Sequence, residues 1–267
     1  AELYLRGGDL QKALAESRRA LEGRPDDPQT LLLEAGILEA LDRDAEAEPI
    51  YLSIIEKSPE TVEPYIYLSG LYLRRNQAEK SITVLAKLEA RKPSSPLAYY
   101  YLGRAYEERG DLAVAEKYLR KAHEEEPERV NYSIDLIRVL LKQKKLEASK
   151  EICRQVLEKD PDNLPARKIL GQLLLGENNF DEALTHLHFL EELEKDPTDT
   201  RFKIALIQIE KQNFAEAVRE LNLILAKDPA NASARYYLAL AYAGKSRQQD
   251  ALAQLEKIGP NDRLFIE

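Results

Sequence analysis

The sequence predicts an all-α solenoid of stacked antiparallel helix pairs, and three periodic registers predict it. Prolines stand at 25, 59, 93, 127 and 161, equally spaced along the chain. Small residues keep the same step at Ala13, Ala47, Ser81, Ala115, Ser149, Ala183, Ala217 and Ala251. Four places after most of these stands a larger apolar residue: Tyr51, Leu85, Leu119, Cys153, Leu187, Leu221 and Leu255. A shared 34-residue period marks one supersecondary unit repeated along the chain. The next expected proline position holds Lys195, with Pro197 displaced by two residues, and the step recovers at Pro229.

Each unit reads as two helices. In PLAYYYLGRAYEERG the apolar spacing is helical and stops at Gly110, a residue suited to the left-handed turn after a helix. Asp111 then opens LAVAEKYLRKAHEEEP, a second apolar-periodic run that stops near Pro127. Similar breaks recur at Gly8-Asp9, Asn76-Gln77, Asn178-Asn179 and Gln212-Asn213. One such hairpin cannot bury its own apolar face, so identical units stack and share a core with their neighbours. The small residues of the second helix let the paired helices approach closely.

In chain order, residues 1–27 form a partial repeat. Complete repeats follow at 28–61, 62–95, 96–129, 130–163, 164–197 and 198–231. Residues 232–267 hold a seventh, with IGPNDRLFIE as the start of a further first helix. The whole is expected to be one solenoid over 1–267, cut at both ends inside a longer array. Its start at Ala1 and its lack of methionine agree with an internal piece of a longer protein.

These residues resemble the tetratricopeptide repeat (TPR) family. The resemblance is closest in YYYLGRAYEERGDLAVAEKYLRKAHEEEP, through Tyr99, the Leu102-Gly103 pair, Tyr106, Gly110, Ala115, Leu119, Ala122 and Pro127, and it extends over essentially the whole chain. Two departures are local. Glu34 stands where the family has an apolar residue, and the fifth repeat carries two extra residues before Pro197. The resemblance implies a right-handed superhelix whose first helices line a concave groove and whose second helices form the convex back.

Composition excludes several function classes. The chain has 267 residues, 44% hydrophobic and 32% charged, too apolar for disorder and too charged for a membrane protein. No run approaches the ~20 apolar residues that span a bilayer. A net charge of −8 argues against a nucleic-acid partner, which favours a basic surface. The single cysteine, Cys153, permits no intramolecular disulfide, and it occupies a slot where other repeats place leucine or tyrosine, so it reads as a small core residue. His186 and His188 diverge by about 200° on a helix and cannot share a metal. They and His123 read as surface or boundary residues. DPDN, DPTD and DPAN lack the spaced ligands of a calcium loop and read as turns, as does KQKK at Lys142–Lys145. No phosphate loop or nucleophile–base motif occurs, so neither a cofactor nor catalysis is expected.

What remains is a surface. Subtracting the packing residues from the third repeat's first helix leaves Tyr100, Tyr101, Arg104 and Glu108 on an adjacent face, with Tyr99 filling the packing slot that Tyr65 fills one repeat earlier. The same subtraction gives Ile66, Tyr67, Gly70 and Arg74, then Asn131, Ile134, Asp135, Arg138 and Lys142. Further along it gives Lys168 and Gln172, then Phe202, Lys203 and Leu206, then Tyr236, Tyr237 and Leu240. Tyrosine and arginine are enriched among residues that carry interface energy. The candidate partner-binding set is therefore Tyr67, Arg74, Tyr100, Tyr101, Arg104, Ile134, Arg138, Lys168, Phe202, Lys203, Tyr236 and Tyr237.

The function expected is a protein-interaction scaffold holding an extended or helical segment of a partner protein, of acidic character to match the cations. The competing reading of each residue is packing between neighbouring repeats. Two alternatives stay open: a self-assembly module, and the TPR arm of a larger enzyme or bacterial secretion or envelope-assembly machine. The family's clamp for C-terminal carboxylates is not carried over. Lys168 and Gln172 are its nearest candidates, the next repeats offer Lys203 and Tyr237, and the clamp's asparagines are missing. The array resembles those of bacterial lipoproteins, pilus-assembly factors and exopolysaccharide machinery, and no motif selects among them or between cytoplasm and periplasm.

Overall fold

The computed structural model describes residues 1–91 and 95–258. Pro93 of the proline register and most of the C-terminal IGPNDRLFIE, expected to begin a further helix, lie outside the described residues. Among the described residues there are sixteen helices and no strands. They belong to two compact units, residues 1–145 and 146–267.

The first unit contains α1 (Glu2–Arg6), α2 (Leu10–Gly23), α3 (Pro28–Ala40), α4 (Asp44–Lys57), α5 (Glu63–Arg74), α6 (Ala78–Glu89), α7 (Pro96–Arg109), α8 (Leu112–Glu125) and α9 (Val130–Lys142). Each helix packs on its successor, and the pairs α3–α4, α5–α6 and α7–α8 are the hairpins. The second unit contains α10 (Leu146–Lys159), α11 (Leu164–Gly176), α12 (Phe180–Leu193), α13 (Thr198–Glu210), α14 (Phe214–Lys227), α15 (Ala232–Gly244) and α16 (Gln248–Leu255). Its hairpins are α11–α12, α13–α14 and α15–α16.

The turns that end the first helices follow one backbone rule. Gly8, Asp42, Asn76, Gly110, Lys144, Asn178, Gln212 and Ser246 all have φ between 54° and 96°, the left-handed region, and they recur once per repeat. Glycine takes this conformation without steric cost and Asn and Asp tolerate it, whereas Lys144, Gln212 and Ser246 carry a Cβ that opposes it. The spacing of the stack demands the turn at that residue, so the turn forms there whatever the side chain.

Helix starts are equally regular. Asp27 caps α3, Ser95 caps α7, Asn163 caps α11 and Asn231 caps α15, each through its side-chain oxygen to a backbone N–H three residues on. The displaced Pro197 is not an insertion, as the sequence suggested. First helices begin at Leu164, Thr198 and Ala232, still in step with the repeat, because Pro197 itself becomes the residue flanking α13.

The core is layered between helix pairs. Tyr51, Tyr65, Leu68, Leu71, Leu85 and Leu88 are fully buried in the first unit, and Ala205, Leu221, Ile224, Ala234 and Leu238 in the second. The small-residue register explains the close approach. Ala13, Ala47, Ala115, Ala183 and Ala217 are wholly inaccessible, as are Ser17, Ser81 and Ser149. Gly103 on α7 meets α8 so tightly that a Cβ there would lie 2.5 Å from Leu119 Cγ. Glu34, the charged residue in an apolar slot, is buried and accepts a hydrogen bond from Arg18 Nε of α2 at 2.9 Å.

Candidate functional site

The residues that suggested metal or thiol chemistry sit as follows. Cys153 is fully buried, and burial pushes its thiol up to about 12, so it remains protonated at neutral pH. His123, expected at a surface or boundary, is buried, with Nδ1 2.9 Å from Ser133 Oγ across the α8–α9 contact. His186 is half-buried; burial and the neighbouring Arg167 guanidinium hold it below the ordinary imidazole value. No group of three or more His, Cys, Asp or Glu among the described residues could hold a metal ion.

The face of the first helices divides differently from the sequence expectation. Of the three tyrosines on α7, Tyr99 is half-buried and stacks on Tyr118 of α8, a packing role as expected. Tyr100, expected on the open face, is only 8% exposed: its ring stacks on Tyr132 of α9 with centroids 4.6 Å apart. The reason is the next repeat, which brings an aromatic against Tyr100 that a single-helix wheel does not show. Tyr101 is half-buried and reaches back to α5, placing its ring and hydroxyl over Gly70. Tyr67 is exposed, at 46%, with its ring 6.0 Å from Tyr51.

The cations of the face are engaged. Arg74 bonds Glu39 and lies 3.7 Å from Asp44. Arg104 Nε lies 3.7 Å from Asp135. Arg138 donates to both oxygens of Glu107, at 2.8 and 2.7 Å, and to Asp135 at 2.7 Å, while Lys142 also donates to Glu107 at 2.8 Å. Burial alone would raise the Glu107 carboxyl, but the bonds from Arg138 and Lys142 hold it below its ordinary value. Arg104, Arg138, Lys142, Glu107, Glu108 and Leu73 enclose a small cavity of about 180 Å³. Ile134 is half-buried on α9.

In the second unit, Lys168 lies 3.5 Å from Glu194. Phe202 meets Tyr237 edge-on at 5.3 Å, and Tyr236 meets Tyr237 likewise at 5.4 Å. Lys203, half-buried and without an ion pair among the described residues, lines a cavity of about 390 Å³ with Leu175, Phe180, Leu206, Ile207 and Glu210.

A larger opening lies between α3 and α5, where the candidate Tyr67 faces residues of the preceding repeat. Leu5, Leu32, Leu33, Gly36, Ile37 and Tyr67 line a cavity of about 530 Å³, rimmed by Asp27, Gln29, Thr30 and Glu63. That volume is within the range of ligand pockets, about 300–1,000 Å³. Gly36 lies in the middle of α3, where glycine costs about 1 kcal/mol relative to alanine. Neither packing nor backbone requires it, since an added Cβ would meet nothing within 4 Å. The same subtraction of packing residues, applied to PQTLLLEAGILEA, would have offered Leu32, Leu33 and Gly36.

This geometry defines a helical-repeat protein with an open, partly apolar face on its first helices. Tetratricopeptide repeat profiles match residues 1–60, 71–129 and 202–262, and a second such profile matches 106–173 and 140–203. The chain belongs to the tetratricopeptide repeat family, whose members are in general non-enzymatic interaction scaffolds. A search of curated protein sequences finds no match. Among solved structures the chain is similar to PilW, a type IV pilus biogenesis factor, with TM-score 0.61, 19% identity, and 72% of this chain and 89% of that one covered. It is similar to a tetratricopeptide repeat protein from Parabacteroides merdae, with TM-score 0.58, 15% identity, and 89% and 94% covered. It is also similar to MamA, with TM-score 0.54, 19% identity, and 61% and 88% covered. At these identities the likeness concerns the fold. No helix among the described residues is long and apolar enough to cross a membrane.

Proposed function

We propose that this chain is a protein-interaction scaffold that holds a peptide segment of a partner protein on the face of its first helices, with the repeats bounded as the 34-residue step sets them. The observation that carries the reading is the 530 Å³ opening between α3 and α5, with Tyr67 exposed at its edge. An exposed tyrosine beside an apolar cavity supplies contact area at low entropic cost. The Phe202, Tyr236 and Tyr237 cluster is a separate candidate surface within the second unit.

An acidic partner, expected from the cations of the first helices, would compete with carboxylates of this chain. Arg74, Arg104, Arg138 and Lys168 each already face a carboxylate of this chain, and Lys203 is the exception among those five. Self-association has its own observation, the exposure of Leu252 and Leu255 on α16. Light scattering that finds a monomer at high concentration would exclude it.

The test is selection from a random peptide library displayed on phage, with the 267-residue chain as target. Selected peptides should bind the Tyr67→Ala variant about tenfold or more weakly, a loss of about 1.4 kcal/mol, with helical circular dichroism unchanged. Peptides that bind both forms alike would place the binding surface elsewhere.

A further inference from the structure

Two glycines occupy one slot in successive repeats. On α5, Gly70 is roofed by Tyr101 of the next first helix: a Cβ on Gly70 would stand 3.4 Å from the tyrosine hydroxyl and 3.5 Å from its ring carbons. On α3, Gly36 holds the same place, and the residue equivalent to Tyr101 is Tyr67. Tyr67 does not close over it, since nothing lies within 4 Å of a Cβ built on Gly36. One slot is filled by an aromatic ring of the chain itself, and its twin is open.

One carboxylate at the open slot is also unanswered. No lysine or arginine is among its lining residues, while two carboxylates are. Glu63 has no ion-pair partner among the described residues, whereas Asp27 accepts from the backbone and hydroxyl of Thr30 and also feels the Arg24 guanidinium. The contrast with the neighbouring carboxylates Glu34, Glu39, Asp44 and Glu48 is direct, because each of those faces an arginine.

We infer that the Gly36 slot receives an aromatic side chain of a partner segment, with a lysine or arginine beside it that pairs with Glu63. The ring lies over Gly36 as Tyr101 lies over Gly70, flanked by Leu32, Leu33 and Tyr67. The inference rests on the interaction-scaffold reading above and reverses the charge expected of the partner. It makes Gly36 a specificity residue, because any larger side chain there fills the slot from inside.

The experiment extends the phage selection. Enriched peptides should place Phe, Tyr or Trp within one helical turn of Lys or Arg. Synthetic copies should bind Gly36→Leu at least about tenfold more weakly, while that variant melts no lower than the parent chain. Glu63→Gln should weaken binding a few-fold and flatten its dependence on salt. Peptides that lose binding with Tyr67→Ala but not with Gly36→Leu would overturn the slot and leave the groove reading standing. Enrichment of acidic peptides would overturn the charge assignment. Self-association of the chain that Gly36→Leu abolishes would assign the slot to a second copy instead of a foreign segment. Selection of no peptide at all would overturn both readings.

Discussion

Arg138 of α9 reaches back to Glu107 of α7 and grips both carboxylate oxygens, at 2.8 and 2.7 Å, so one repeat's first helix is tied to the next. Lys142 donates to the same carboxylate. These ties use cations that the sequence offers as partner-binding groups. Arg74, Arg104, Arg138 and Lys142 all face carboxylates on neighbouring first helices of the same chain.

The Glu107 tie sets a pH dependence. Burial raises the carboxyl and the cations lower it by more, so the folded value lies below the ordinary 4.5. A carboxyl held low in the folded state stabilises fully above the ordinary value and loses that contribution as pH falls below it, through the folded value. Urea midpoints of the parent chain should therefore drop in that window. Glu107→Gln should cost about 1 kcal/mol near neutrality, discounted because Arg138 and Lys142 are half-exposed, and should lessen the drop. An unchanged acid profile in the variant would remove Glu107 as its source.

Two glycine-to-alanine substitutions should act in opposite directions. At Gly103 the new Cβ would stand 2.5 Å from Leu119 Cγ and 3.1 Å from its backbone nitrogen, so Gly103→Ala should cost about 1–3 kcal/mol through overpacking. At Gly36 the space is open, so Gly36→Ala should stabilise by about 1 kcal/mol through helix propensity. Thermal unfolding of the pair measures both signs.

The register of small residues should be intolerant of size. Ala115 is wholly inaccessible on α8, and Ala115→Leu should cost about 1–3 kcal/mol, read from denaturant midpoints. A cost near zero would mean that the paired helices can separate without penalty.

The left-handed turn residues offer a gain. Lys144 holds φ 60° with a side chain attached, and Lys144→Gly should stabilise by roughly 0.5–1 kcal/mol. The gain is the relief of Cβ crowding less the entropy that glycine adds to the unfolded chain. A loss of stability would show that the Lys144 side chain contributes more than its backbone costs.

The repeat length, the helix pairs and the small contact residues were all legible in the sequence, because each is a local or strictly periodic demand. A 34-residue step and a 3.6-residue helical turn can be counted without coordinates. The turn at Lys144 and the in-register start of α13 after Pro197 obey the same period, though their residue types hide it. What one helix's periodicity could not decide was which leftover side chain the next repeat covers. Tyr100 and Tyr101 are neighbours on α7, yet one is closed off by Tyr132 and the other lies across Gly70. Gly36 and Gly70 share a slot and a residue type, yet only one is roofed. Those outcomes belong to pairs of helices in contact, where a ring from the next repeat either reaches the slot or does not.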